Sequence, residues 1–404
     1  MEFMLPTTAD NGARLAAILP SGLAAVARGL GSGLPDELAF AEEGSVADRL
    51  PSVRSFVMVV VDGLGHANLG AAKAHAPVLA RLQRRRIETV APSTTGAALT
   101  TLTTGRLPGE HGLIGYRIRH PRLGLVTTLK DWEGIDDRRA WQRSVPLFGL
   151  ATQLGARAVA IGRPAHAEGG LTEAILTGAE YHPGPRIADR FEVASRLLRS
   201  DDPIVAYLYV DELDKAAHEY GWQSPAWLRR LEQLDAALDG LLRGMPGDVG
   251  VVVTADHGIV DVPRHQQVLL DADPSLLEGV AEIGGEPRFR SLYLRPGADP
   301  ESVAARWAQA ERTRGWAVTR DQAISSGCFG PVVPEVAARL GDVILAARRQ
   351  VAYYCSTDDP RAQAMVGQHG SFSEDERGVP LAVAGALSGS GFAAAVAEAA
   401  AIRS

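Results

Sequence analysis

Three short apolar segments of the sequence each end in an acidic residue, and this pattern limits the possible folds most strongly. The segments and their ends are residues 55–61 before Asp62, residues 203–210 before Asp211, and residues 249–254 before Ala255-Asp256-His257. Continuous runs of Val, Ile and Leu are typical of strands buried on both faces, as in parallel sheets covered by helices. In such sheets ligands bind outside the carboxyl ends of the strands. We therefore expect the three acidic ends to share one edge of a sheet.

Helical patterns separate these strands, at residues 67–86, 97–104, 187–200 and 224–244. The last of them places Leu228, Leu231, Leu234, Leu238 and Leu241 on one stripe, with charges opposite. The basic run 84–86 is predicted to be the solvated end of the first helix. The alternation of strands and helices predicts an α/β sandwich with a largely parallel central sheet and helices on both faces.

The length of 404 residues and the hydrophobic content of 46% allow one large domain with a substantial core. We expect a single catalytic α/β domain over residues 1–404, with its core at about 50–112, 201–265 and 361–404. The ranges 113–200 and 266–360 are less regular and richer in Pro, Gly and mixed charge. They are predicted to be insertions or a cap that contributes to substrate specificity.

The charge and the N-terminal sequence argue against two classes of partner. The net charge is −7 and the basic residues are scattered, so no nucleic-acid scaffold is expected. The N-terminus lacks the basic start, apolar core and cleavage site of a signal peptide. No uninterrupted apolar run approaches about 18 residues, so no membrane span is predicted. A cytoplasmic protein is the simplest expectation.

Two of the strand ends carry residue types that commonly bind metals. Asp62 precedes Gly63, which alone is equally consistent with an ordinary turn. Asp256 and His257 are adjacent and precede Gly258, so a tightened turn lets both side chains reach one ion. A capping aspartate beside a surface histidine is the simpler alternative for that pair taken alone.

Further candidate ligands follow the strand at 203–210. Asp214 and His218 are four residues apart, which places them on one helical face, as in helix-borne zinc sites. Asp211, at the strand end itself, competes with Asp214 for this role. His369 lies in the loop Gly367-Gln368-His369-Gly370 and matters only if the other clusters leave a coordination sphere incomplete.

A hydroxyl nucleophile is suggested by Ser93-Thr94-Thr95, which precedes small and apolar residues as at a helix N-terminus. Neither a G-x-S-x-G elbow nor a G-x-x-x-x-G-K-[ST] phosphate loop is present. Activation by a metal is therefore the route that the sequence offers. Aspartate and histidine ligands without thiolates suit two Zn²⁺ ions, with Mn²⁺ or Fe possible.

In this order the motifs resemble the type I phosphodiesterase/nucleotide pyrophosphatase family of the alkaline phosphatase superfamily. The resemblance spans about residues 55–381 and implies an alkaline-phosphatase-like three-layer sandwich. It implies that Thr95 is the nucleophile, nine residues before Thr104, and that Asp214 rather than Asp211 is the ligand. It also implies one zinc held by Asp62, Asp256, His257 and Thr95, and a second held by Asp214, His218 and His369.

The resemblance implies in-line attack by the metal-activated threonine on a small-molecule phosphate ester, through a phospho-threonine intermediate. Family members usually follow the nucleophile with Phe-Pro-Asn, whereas this chain has Gly96-Ala97-Ala98. A phosphate ester is therefore a safer expectation than a nucleotide diester. Gly96, Arg106 and Arg163 are candidate substrate contacts. The alternatives are a phosphomonoesterase or phosphonate hydrolase, a phosphopentomutase-type transferase, and a non-catalytic binding protein that retains the fold.

Overall fold

Seventeen strands in the described part of the chain form one large sheet and four small ones. The computed structural model describes residues 5–35, 38, 50–130 and 132–403. The strands are β1 Ser55–Val61, β2 Gln83–Glu88, β3 Arg117–His120, β4 Gly124–Thr127, β5 Arg157–Gly162, β6 Glu180–Pro183, β7 Ile204–Val210, β8 Val249–Thr254, β9 Val260–Asp261, β10 Gln267–Leu269, β11 Val280–Glu286, β12 Phe289–Leu294, β13 Gly315–Thr319, β14 Val343–Ala347, β15 Ala352–Tyr354, β16 Gly367–Gln368 and β17 Gly378–Gly385.

The helices are also numbered in chain order. They are α1 Ala13–Ala16, α2 Ile18–Leu30, α3 His66–Ala71, α4 Pro77–Arg81, α5 Thr95–Thr104, α6 Pro108–His111, α7 Arg138–Trp141, α8 Phe148–Gln153, α9 Gly170–Leu176, α10 Ile187–Leu198, α11 Glu212–Tyr220, α12 Pro225–Gly244, α13 Pro300–Ala310, α14 Arg320–Ser325, α15 Pro334–Ala337, α16 Pro360–Gln363, α17 Glu374–Arg377 and α18 Phe392–Arg403.

The central sheet has the strand order β2-β17-β8-β1-β7-β5-β6. The strands β8, β1, β7, β5 and β6 run parallel, and β17 is antiparallel to both of its neighbours. Every residue of β1, β7 and β8 is buried, as expected of strands covered on both faces. The predicted largely parallel α/β sandwich is confirmed.

Two groups of helices flank this sheet. In one group, α10 and α12 pack together, and α12 buries four of the five predicted leucines while Leu228 is half-buried. In the other group, α18 packs on α2, and Phe392 of α18 lies 6.0 Å from Phe56 of β1, measured between ring centroids.

The predicted helix over residues 67–86 is wrong in its continuity and in its last residues, 83–86. It is split into α3 and α4 and ends at Arg81, and residues 83–88 are strand β2 instead. The basic run 84–86 therefore lies on an edge strand paired antiparallel with β17, not at a helix end. Local sequence could not reveal strand β2, because its pairing partner β17 is about 300 residues away. The charged side chains of this edge strand discourage pairing with other chains.

A second, antiparallel sheet has the strand order β11-β12-β14-β13. Strand β11 ends at Glu286. The division of the chain into core and cap stays a prediction. Within the range 113–200, strands β5 and β6 belong to the central sheet, whereas the second sheet falls wholly within 266–360.

The N-terminal segment Ala13–Leu30 is long and apolar enough to cross a membrane by length and composition, with a mean hydropathy of 1.2. In the fold, 78% of it is buried. A core helix, a signal sequence and an anchor all meet the same criteria. Localisation therefore stays a prediction.

Candidate metal centre

The carboxyl ends of three adjacent strands meet at one edge of the central sheet. Strand β1 lies between β8 and β7. Asp62 directly follows β1, Asp211 directly follows β7, and Asp256 stands two residues after the end of β8. The sequence expectation that these ends converge is met by the parallel order of the strands.

Two helices, α5 and α11, and the loop after β16 bring the remaining candidate residues to this edge. Helix α5 begins at Thr95, whose Oγ1 lies 3.1 Å from Nε2 of His257. His369 follows β16, and its ring stacks on that of His257 with 3.6 Å between centroids. Asp214 and His218 lie on α11, with 3.2 Å between His218 Nε2 and Asp214 Oδ2. All seven of the predicted metal-site residues are therefore close together.

Two overlapping groups of side chains have the geometry of metal ligands, with ligand atoms within 4.8 Å of one another. The first group is Asp62, Asp256 and His257, and the second is Asp214, His257 and His369. The first matches one of the predicted ligand sets. The second shares two residues with the other predicted set, whose third residue, His218, contacts Asp214.

The three aspartates each leave one buried oxygen without a hydrogen-bond partner among the described residues: Asp62 Oδ1, Asp214 Oδ1 and Asp256 Oδ2. Their other oxygens are held in place. Tyr209 donates its hydroxyl to Asp62 Oδ2, and the backbone N–H groups of Gly63 and His257 donate to Asp256 Oδ1. Buried carboxylate oxygens without partners cost free energy unless a cation satisfies them, so the residues fit divalent metal ions.

The three histidines share one arrangement. Each points its Nδ1 at a backbone carbonyl: His218 at Gly367 (2.7 Å), His257 at Gly258 (3.0 Å) and His369 at Ser93 (2.8 Å). In the neutral imidazole this places the proton on Nδ1 and leaves Nε2 as the lone-pair donor. A hydrogen bond from the ring nitrogen that does not bind the metal orients histidine ligands in the same way in known metal sites.

Burial shifts the pKa values of Asp62, Asp256 and His257 in the first group and of His369 in the second. It raises the pKa of Asp256 to about 6 and, with the charges of Asp256 and Asp214, raises the pKa of Asp62 well above its usual value. Burial also lowers the pKa of His257 to about 4 and that of His369 to about 3. Both histidines are therefore neutral at pH 7, which is the form that binds a metal.

Asp214 behaves differently from the other two aspartates. Burial raises its pKa, but the charge of His218 and a hydrogen bond from that side chain outweigh burial and hold the pKa below its usual value. The same contact raises the pKa of His218 against the effect of burial. A bound cation would replace the proton that lies between Asp214 and His218.

Asp211, the alternative candidate to Asp214 as a metal ligand, is surrounded by basic side chains. Its oxygens lie 3.5 Å from Arg163, 3.4 Å from His166 and 3.7 Å from Arg190, and Lys215 is hydrogen-bonded to it. Burial raises the pKa of Asp211, but Lys215, His166 and Arg163 outweigh it and hold the pKa below its usual value. Asp211 therefore belongs to an internal ion-pair cluster.

A cavity of about 690 Å³ opens over the site and is lined by Asp62, Thr95, Asp214, His218 and His369. Its further walls are mostly apolar and aromatic, and they include Ile161, Leu171, Ile175, Leu176, Tyr181, Tyr207 and Tyr209. The chain has only three lysines. Two of them, Lys130 and Lys215, line this cavity.

The predicted substrate contacts are less well placed. Gly96 follows Thr95 in α5, and an added Cβ would lie 2.6 Å from Thr128 Oγ1, so glycine permits this close packing. Arg106 is mostly exposed and pairs with Glu110. Arg163 pairs with Asp211 and lines a neighbouring cavity of about 670 Å³. Neither arginine lines the cavity over the site.

Sequence reasoning missed two residues at the site. Tyr209 lies two residues before Asp211 on β7, and a hydroxyl so close to an acidic strand end was an available signal. Glu286 lines the cavity from β11, in the second sheet, and no motif marks it in the sequence.

Residues 56–372 match the family model described as type I phosphodiesterase/nucleotide pyrophosphatase. A mouse relative, ectonucleotide pyrophosphatase/phosphodiesterase family member 3, is 25% identical over 167 residues. That match covers 39% of this chain and only 19% of the mouse protein.

Solved structures share the fold. Murine ectonucleotide pyrophosphatase/phosphodiesterase 5 is 18% identical with a TM-score of 0.64, covering 81% of this chain and 87% of that one. An inactive variant of the same protein has been solved in complex with AMP. Phosphonoacetate hydrolase from Sinorhizobium meliloti, solved with phosphonoformate, is 21% identical with a TM-score of 0.64, covering 86% and 97%.

Proposed function

The chain belongs to the type I phosphodiesterase/nucleotide pyrophosphatase family, and from that premise we propose that it is a two-metal hydrolase of phosphate esters with Thr95 as its nucleophile. The observation that carries the proposal is the set of three buried aspartate oxygens without hydrogen-bond partners beside three histidines whose Nδ1 atoms lie against backbone carbonyls, so that Nε2 is the ring nitrogen that remains for a metal. A non-catalytic protein that retained only the fold would have no reason to keep this arrangement, because it is costly without cations.

The proposed metal sites use the ligand sets that the resemblance implies. Asp62, Asp256 and His257 would hold one ion together with Thr95. Asp214, His218 and His369 would hold the other. Two such ions, when bound, supply activation of the attacking oxygen and stabilisation of the leaving oxygen. Ligation by aspartate and histidine without thiolates favours Zn²⁺.

The chain's own residues position the nucleophile. Thr95 is the first residue of α5, so its hydroxyl lies at a helix N-terminus, where negative charge is favoured. Its Oγ gives up a proton and bonds to phosphorus while the bond from phosphorus to the alcohol oxygen breaks, and the alcohol leaves with a proton. Water then breaks the bond between Thr95 Oγ and phosphorus, which restores the hydroxyl and releases phosphate or a phosphate monoester.

Diesters are the first candidate substrates, because family membership favours them. A phosphomonoesterase or phosphonate hydrolase is the second candidate. It is supported by Lys130 in the cavity wall, since a second negative charge on the substrate requires an additional cation. Lys215 lies in the same wall but already pairs with Asp211. The similarity to phosphonoacetate hydrolase points in the same direction.

The nucleophile is tested with Thr95→Ala in metal-replete protein, on bis-p-nitrophenyl phosphate and p-nitrophenyl phosphate. We expect kcat/KM to fall by several orders of magnitude, as when other covalent nucleophiles are removed. Thr103→Ala is the matched control, because Thr103 lies in the same helix and its hydroxyl donates to the carbonyl of Leu99. Equal activity of Thr95→Ala and Thr103→Ala would refute the assignment, and the ratio of the two substrates separates diesterase from monoesterase.

A further inference from the structure

Glu286 is a buried acidic residue in the wall of the cavity, and the two-metal mechanism gives it no role. It is the last residue of β11 and is only 4% exposed. The cavity that contains Thr95 and His369 also contains Glu286. Its side chain packs on Gly370, the residue after His369, where an added Cβ would lie 2.6 Å from Glu286 Cγ.

Only one oxygen of this carboxyl group is satisfied. Oε2 accepts a hydrogen bond of 3.0 Å from the backbone N–H of Tyr116, which also lines the cavity. Oε1 is buried and has no hydrogen-bond partner in the described residues. The nearby guanidinium of Arg290 is engaged with the carbonyl of Tyr353 and with Asp358, so it forms no ion pair with Glu286.

Two ordinary explanations for such a residue do not apply. Within the described residues, Glu286 belongs to no group of three metal-ligating side chains. It also lacks the cations that surround Asp211. A buried carboxylate with neither metal nor cation is costly, whereas a neutral carboxyl group carries an O–H that can donate. In agreement, burial raises the pKa of Glu286 to about 8.

Building on the proposed function, we propose that Glu286 acts as a neutral carboxylic acid that donates a hydrogen bond from Oε1 to a phosphoryl oxygen of the substrate. Phosphoryl oxygens only accept hydrogen bonds, so an ionised Glu286 would repel them and a protonated one stabilises them. The turn after Thr95 offers no side-chain donor, because Gly96-Ala97-Ala98 stands there. Glu286 supplies such a donor from the second sheet.

The test compares Glu286→Ala with Glu286→Gln, because glutamine keeps the shape and a donor but cannot ionise. We expect Glu286→Ala to lower kcat/KM about 100-fold for both p-nitrophenyl substrates, as for the loss of one oxyanion donor, and Glu286→Gln to recover most of that loss. Glu282→Ala is the matched control, since Glu282 lies on the same strand, half-exposed, and pairs with Arg119. Metal content and thermal unfolding are measured for every variant, so that a change in either is not mistaken for lost donation.

Infrared difference spectroscopy gives a readout that a purely structural role would not change. Orthovanadate added to the metal-replete protein should shift a protonated-carboxyl C=O band that is missing in Glu286→Gln. The proposal is overturned if Glu286→Gln loses as much activity as Glu286→Ala, if neither variant loses activity, if only one substrate is affected, or if no such band shifts. Because Thr95→Ala is measured in the same assays, these outcomes are distinguishable from a failure of the proposed function.

Discussion

Two acidic clusters lie side by side at the end of β7, and they are built in opposite ways. Asp211 is enclosed by four basic side chains supplied by the protein itself. Asp62, Asp214 and Asp256 are equally buried, and each has an oxygen without a hydrogen-bond partner in the part of the chain that the structure describes, as Asp211 does at Oδ1. Oδ1 of Asp211, however, lies 3.5 Å from Arg163 and 3.7 Å from Arg190, whereas the described ion-pair partners of the other three aspartates are histidines and no arginine or lysine. The protein's own cations compensate the charge of Asp211, whereas we propose that bound metal ions compensate the other three aspartates. Only three positions in the sequence separate Asp211 from Asp214, the proposed metal ligand.

The largest effect is expected from Asp256→Asn, which replaces a proposed metal ligand. Metal content should fall below two ions per chain, and kcat/KM should fall roughly 1000-fold or more, because bound ions supply several kcal/mol of transition-state stabilisation. The metal-free variant should nevertheless be more stable than the metal-free wild type, since an uncompensated buried charge is removed. Metal analysis, kinetics and urea unfolding check these three expectations; full metal content in the variant would contradict them.

Asp211→Asn should have the opposite effects: it should lower stability and leave metal content unchanged. Its removal leaves buried Arg190 with less compensation, so we expect the free energy of unfolding to fall by about 3 kcal/mol. The metal content of the folded protein should stay at the wild-type level. Loss of metal from this variant would mean that Asp211, not Asp214, completes the second site.

The pH dependence of stability should separate the clusters by its sign. The pKa of folded Asp256 lies above its unfolded value, so in metal-free protein its contribution is lost as the pH rises through about 6. The stability advantage of Asp256→Asn should therefore grow between about pH 4 and 6, by up to about 3 kcal/mol. The pKa of folded Asp211 is lowered, so the deficit of Asp211→Asn should shrink as the pH falls below the usual aspartate value. Urea unfolding of metal-free proteins, measured from below the usual aspartate pKa up to about pH 6, follows both trends, and equal slopes would remove the distinction.

The smallest effect is expected from Tyr209→Phe, which removes the hydroxyl that holds Asp62 but no metal ligand. Side chains that hydrogen-bond to a metal ligand typically contribute about 10- to 100-fold in metal affinity. We expect a loss of that size in chelator competition. Tyr207→Phe on the same strand is the control, and an equal loss in both variants would argue against the contact with Asp62.

The sequence was sufficient where short-range patterns and fold rules act together. Buried apolar runs predicted β1, β7 and β8, and parallel pairing then brought Asp62 and Asp256 together. The four-residue spacing placed Asp214 and His218 on one face of α11. These features depend only on residues close in the chain and on the general behaviour of parallel sheets.

Features that depend on distant contacts could not be predicted. Residues 83–88 form a strand only because β17 offers a pairing edge. The cations that enclose Asp211 come from β5, α10 and α11, or from the loops beside them. The sequence around Asp211 does not indicate that Arg163 and Arg190 contact it. Glu286 reaches the cavity from a separate sheet, so only the tertiary structure shows it near His369.

The most direct test of the central claim is a crystal structure of zinc-replete protein with anomalous scattering recorded at the zinc edge. Two peaks are expected about 3.5–4 Å apart, the spacing of two-metal sites. One should contact Asp62, Asp256 and His257, and the other should contact Asp214, His218 and His369, with no peak at Asp211. A single peak, or a peak bound to Asp211 in place of Asp214, would contradict the account.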